Sequence, residues 1–189
     1  MKFLIFLLGL EYIGSNSRSI WYSLYLTFSL ESSWVKVYSH DIAGGTFPKV
    51  EDGRKFNEDK PEEYLYSILY RLEEFRMNGG FHIRFCWDYL ADRFDFPCNE
   101  WFQTSNFAFE SNITDFQPLK LTFPESGVGG SFGGLGVSPT NFGQNLIDDL
   151  PYHGTWWYSV GTVAGFGPGF PGPHPHITKN AQIYIKTGN

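Results

Sequence analysis

Two stretches of this chain alternate apolar and polar residues with a period of two: "WVKVYSH" at residues 34–40 and "FHIRFCW" at 81–87. Successive side chains of an extended chain point to opposite sides, so such runs make strands with one buried face. "LKLTF" at 119–123 and "AQIYIK" at 181–186 read as further strands, and "SIWYSLYLTFSL" at 19–30 sets Ile20, Tyr22, Leu24, Leu26, Phe28 and Leu30 on one side. Between them, "GVGGSFGGLG" (127–136) and "GFGPGFPGPHPH" (165–176) hold too many Gly and Pro for regular elements.

One stretch carries a different period. Leu65, Ile68, Leu69, Leu72 and Phe75 follow i, i+3, i+4, i+7, with Asp59 as a cap, Pro61 at the first turn, Glu62 and Glu63 at the positive end of the dipole, and Asn78-Gly79-Gly80 as a stop. The spacing predicts a helix over 61–77, with Glu73, Glu74 and Arg76 on its solvated face. Aromatic residues make up 19% of the chain beside 21 Gly and 11 Pro, which favours many short strands over a helical bundle. The expected fold is α+β and mainly β: antiparallel sheet, one helix, and long Gly/Pro-rich loops in a single domain.

A net charge of -6 without a Lys/Arg cluster argues against a nucleic-acid partner. The apolar run "FLIFLLGL" (3–10) is far shorter than the roughly 20 residues that span a bilayer. With Lys2 before it and Gly14, Ser15 and Ser17 after it, residues 1–17 read as a secretory signal, although Glu11 and Tyr12 interrupt the cleavage pattern. Residues 18–33 then form a Ser-rich segment of uncertain character, and 34–189 the module proper. Cys86 and Cys98, twelve positions apart, suit one disulfide closing a short loop. Asn112-Ile113-Thr114 is a glycosylation sequon in a polar stretch. All three signals point to a secreted, extracellular protein.

Most candidate chemistry fails on spacing. The glycine segment at 127–136 has no following Lys for a phosphate loop, and the prolines around His174 and His176 turn the two imidazoles apart. "CWDYLADRFDFPCNEW" (86–101) gathers Asp88, Asp92, Asp95 and Glu100 on one loop, the oxygen ligands calcium needs, against a competing reading of ordinary solvated carboxylates. "IDDLPYHGTWWYSVG" (147–161) offers Asp148, Asp149 and His153 as a solvent-facing rim beside Trp156 and Trp157. Sugars use aromatic faces for their C–H surfaces and carboxylates for their hydroxyls, so these five residues are the expected ligand contacts. A hydrolase using His153 with Asp148 or Asp149 is an alternative, but no Gly-x-Ser-x-Gly pattern occurs, and adjacent carboxylates on an extended chain cannot flank one bond.

The stretches "WVKVYSHDIAGGTF", "LYSILYRLEEFRMNGGFHIRFCW", "CNEWFQTSN", "GGLGVSP", "LIDDLPYHGTWWYSVG" and "ITKNAQIYIK" together resemble secreted modules of marine-invertebrate extracellular and skeletal-matrix proteins. Those modules look like distant relatives of fibrinogen C-terminal and intelectin-like domains. The resemblance covers residues 34–189 and implies a compact, mainly β, secreted and non-enzymatic domain for adhesion or glycan recognition. Fibrinogen-type domains commonly carry further cysteines and a late Asp-rich calcium loop. This sequence shows neither, so calcium-dependent sugar binding does not carry over. The expectation is a binding module for a glycan or an extracellular-matrix protein, the alternative a structural matrix component without a small ligand.

Overall fold

The computed structural model describes residues 33–88, 97–126, 130–138, 144–149, 158–164, 171–173, 176 and 178–188. The chain from Ser32 onward is one compact unit. Its strands are β1 (Ser33–Asp41), β2 (Leu65–Ser67), β3 (Phe81–Asp88), β4 (Cys98–Gln103), β5 (Gln117–Leu121), the short β6 (Glu125–Ser126), β7 (Gly130–Ser131), β8 (Gly136–Val137) and β9 (Ile147–Asp148), and β10 (Asn180–Thr187). Six of them form one sheet in the order β2-β1-β10-β3-β4-β5, antiparallel throughout. The mainly β, antiparallel expectation holds.

Period-two alternation decides which side chains meet the core. Ile83, Phe85 and Trp87 of β3, Trp101 of β4 and Ile183 and Ile185 of β10 are fully buried, as alternate positions on paired strands require. In β1 the register shifts between Lys36 and Tyr38, and Val37 and Tyr38 are both buried. Such a bulge lets one strand send two consecutive side chains inward. Aromatic rings then close the interior: Phe85 lies 4.2 Å from Trp87, Trp87 5.3 Å from Tyr158, and Phe132 5.0 Å from Trp101 and 5.1 Å from Tyr158.

The helix expected over 61–77 is corrected. Leu65, Ile68, Leu69 and Leu72 are buried, as the apolar stripe demands, but Leu65–Ser67 is a strand and only Leu69–Phe75 is helical, as a 3-10 helix. The strand pairs with β1 through Tyr38, Ser39 and His40, while Asn57 Nδ2 donates to the Leu65 carbonyl at 2.8 Å and Ser67 Oγ to the Gly53 carbonyl at 2.7 Å. Helix propensities differ by only tenths of a kcal/mol per residue. A sheet edge that gains a partner outweighs them.

Other boundaries move for similar reasons. β5 ends at Leu121, two residues short of the expected run, and "CNEWFQ", expected within a loop, is strand β4 paired on both sides. Cys86 and Cys98 are cross-strand partners on β3 and β4 with Cα atoms 4.0 Å apart, and they form the expected disulfide. The strand pattern at 19–30 lies outside the described residues. Among the described residues no helix is long and apolar enough to cross a membrane.

Candidate functional site

The positions that alternate with the core residues make up the outer face of the sheet. Across it Trp34 pairs with Lys186, Lys36 with Tyr184, Tyr184 with Arg84, Arg84 with Glu100, and Glu100 with Lys120. Three of these neighbours, Trp34, Arg84 and Glu100, form a tight constellation with His82. The Arg84 guanidinium lies 3.9 Å from the centre of the Trp34 ring, within cation–π range, and the His82 ring meets Trp34 edge-on at 5.1 Å. Arg84 donates from Nε and Nη2 to Glu100 Oε2 at 3.1 and 3.0 Å, and His82 Nε2 is hydrogen-bonded to Glu100 Oε1 at 2.8 Å.

These side chains are neither core nor free surface: His82, Arg84 and Glu100 are 25%, 35% and 20% exposed. Burial pushes the Glu100 carboxyl up, but the Arg84 and His82 hydrogen bonds more than reverse this and hold it below its ordinary value. The carboxylate is thus fixed as an acceptor, and the ring, the imidazole and the guanidinium are each held by a neighbour. Side chains held in place before a ligand arrives lose little freedom on binding.

The structure gives a different account of the expected rim. Asp148 and Asp149 are 0% and 2% exposed, so they line the interior and no solvent-facing edge. Asp148 is placed by β9, which pairs with Gly136 of β8, and its Oδ1 accepts from the backbone N–H groups of Asp149 at 2.7 Å and Tyr158 at 3.3 Å. Neither carboxyl oxygen of Asp149 receives a hydrogen bond. Burial and the charge of Asp148 push the Asp149 carboxyl up to about 9, so it carries a proton at neutral pH. Both carboxyls are thus buried, where a solvent-facing rim was expected. Tyr158, Ser159 and Val160 are also buried, while His153, Trp156 and Trp157 lie outside the described residues.

The expected calcium loop is only partly in view. Asp92 and Asp95 lie outside the described residues, the Asp88 backbone pairs with Asn180, and the Glu100 carboxylate is committed to Arg84 and His82 on the outer face. Among the described residues no group of three or more His, Cys, Asp and Glu side chains is gathered to hold a metal ion. Asn112 is exposed, as its sequon requires.

Sequence reasoning missed Trp34, His82 and Arg84 as site residues, although the signal was present. Each occupies an outward position of an alternating run, and each is aromatic or cationic where a plain solvated strand would carry small polar groups. Compared with known proteins, the chain matches no family model, no curated protein and no solved structure.

Proposed function

We propose that this protein is a secreted, non-enzymatic binding module for a glycan or an extracellular-matrix ligand, and that the outer face of the sheet makes the contact. The observation that carries this reading is the half-buried Trp34 ring braced by Arg84 and His82, with Glu100 fixed beside it. An indole offers apolar area to sugar C–H groups, and a guanidinium with a carboxylate offers donors and an acceptor to hydroxyls. The Cys86–Cys98 disulfide, the exposed Asn112 sequon and the resemblance to secreted matrix modules support the extracellular side of the reading.

The test is a glycan array probed with the wild type and with Trp34→Ala, each with and without calcium. Binding that the substitution abolishes supports the reading, and the calcium arms report whether an ion takes part. Absence of binding in every arm, together with affinity capture that returns no matrix protein, overturns it. Capture of one matrix protein without any sugar would favour the structural-component alternative.

A further inference from the structure

One row across the outer face of the sheet is rich in cations although the chain as a whole is acidic. Overall, 14 Lys and Arg stand against 20 Asp and Glu. On this face, the outward register positions carry Lys36, Lys186, Arg84 and Lys120 with Glu100 among them, while Asp41 and Asp88 flank Asn180 of β10 at the far end of the face. The register sets Lys36, Tyr184, Arg84, Glu100 and Lys120 in one row across five strands. At the usual strand spacing of about 4.8 Å, that row runs for about 19 Å.

The cations differ in how far they are neutralised. Arg84 is taken up by Glu100, and Lys36 has only Glu62 at 3.8 Å, whose side chain is 90% exposed. A carboxylate so well solvated holds its lysine weakly, although the Lys36 side chain is itself only 20% exposed. Lys120 and Lys186 have no carboxylate partner among the described residues. Lys186 sits beside Trp34 in the register and Lys36 beside Tyr184, so cationic and aromatic positions are neighbours along the face.

We infer that the ligand of this face is an anionic polysaccharide, its sulfate or carboxylate groups held by Lys36, Lys120 and Lys186 and its sugar rings packed beside Trp34 and Tyr184. The inference rests on the binding reading above and narrows it to one chemistry. A row of separated cations interleaved with rings matches a chain that repeats charge and C–H surface together. An acidic polypeptide would use the cations and leave the rings without a role. A nucleic-acid duplex would offer phosphates to the cations but keep its bases stacked inside the helix, away from the rings.

The experiment measures binding of the full chain to heparin, alginate, dextran, polyglutamate and double-stranded DNA over a salt series. Heparin and alginate separate sulfate from carboxylate recognition, and binding to either that weakens as salt rises supports the inference. Dextran is expected to bind far more weakly. Reversing Lys120 and Lys186 together to Glu is expected to weaken polysaccharide binding by about tenfold or more. Reversing Lys49 and Lys55, which lie off the sheet, is expected to leave it intact, and both double variants are to be checked for unchanged melting. Dextran binding as tight as heparin, or indifference to the Lys120 and Lys186 reversals, overturns the anionic inference while leaving the glycan reading in place. Binding only to polyglutamate or DNA overturns it as well. Failure of every polysaccharide, neutral or charged, on the array and here, removes the glycan reading itself.

Discussion

The backbone N–H of Gly161 donates to the phenol oxygen of Tyr38 at 2.8 Å, joining β1 to a residue 123 positions later in the chain. Tyr38 is fully buried and its ring stacks on Phe47 at 5.7 Å. Tyr38→Phe keeps the ring and removes the acceptor, leaving a buried N–H without a partner. The expected loss is about 1–3 kcal/mol, read from the denaturation midpoint at unchanged slope.

Gly161 is constrained on its own account. Its φ is +70°, and a Cβ there would lie 2.9 Å from Leu146 Cβ and 3.1 Å from Gly53 Cα. Gly161→Ala combines a left-handed backbone with a clash against a second close-packed glycine, and about 1–3 kcal/mol of stability is expected to go. Gly133 is the internal control: a Cβ there meets nothing within 4 Å. Its alanine variant is expected to melt within about 0.5 kcal/mol of the wild type.

The disulfide offers a redox test. Cys86 and Cys98 close a loop of twelve residues in sequence separation, for which chain entropy predicts a contribution of about 3 kcal/mol. Reductant is expected to lower the melting temperature of the wild type. The Cys86→Ser, Cys98→Ser double variant starts lower and ignores the reductant. The β3–β4 register continues from Cys86 back to Phe81, so both reduced forms are expected to stay folded at low temperature.

Asp149 is expected to contribute a loss of stability as pH rises. Asp149 ionises near its ordinary value of 3.8 in the unfolded chain but keeps its proton up to about 9 in the fold. Between these values unfolding releases a proton that the native state holds. Stability is therefore full below the lower value, declines across the window, and levels off above the upper one. The slope approaches about 1.4 kcal/mol per pH unit. Asp149→Asn keeps the size and shape of the side chain and loses the titration. Its melting temperature is expected to change less than that of the wild type between about pH 5 and about pH 8.

Strand periodicity in β1, β3 and β10 was legible because it follows from each strand's own residues. The segment around Leu65 was not, because the same buried leucines serve a helix stripe or a strand followed by a 3-10 turn. Only the pairing of Leu65 with His40, far away in sequence, decides between them. Asp148 and Asp149 misled for a related reason: carboxylates default to solvent, and their burial depends on β8 and the Tyr158 amide. The outer face was hidden most deeply. Lys36, Arg84, Lys120 and Lys186 form no cluster in sequence, and only the sheet order brings them into neighbouring positions.

That order also has a consequence for biosynthesis. β10 lies between β1 and β3, and Ser33 meets Thr187 across 154 positions. Until β10 is made, the sheet order leaves β1 with β2 and β3 with β4 and β5 unjoined, each with an open edge. Unpaired edges recruit other strands. A chain truncated before Asn180 leaves β1 and β3 without their common partner and is expected to be less soluble than the full chain.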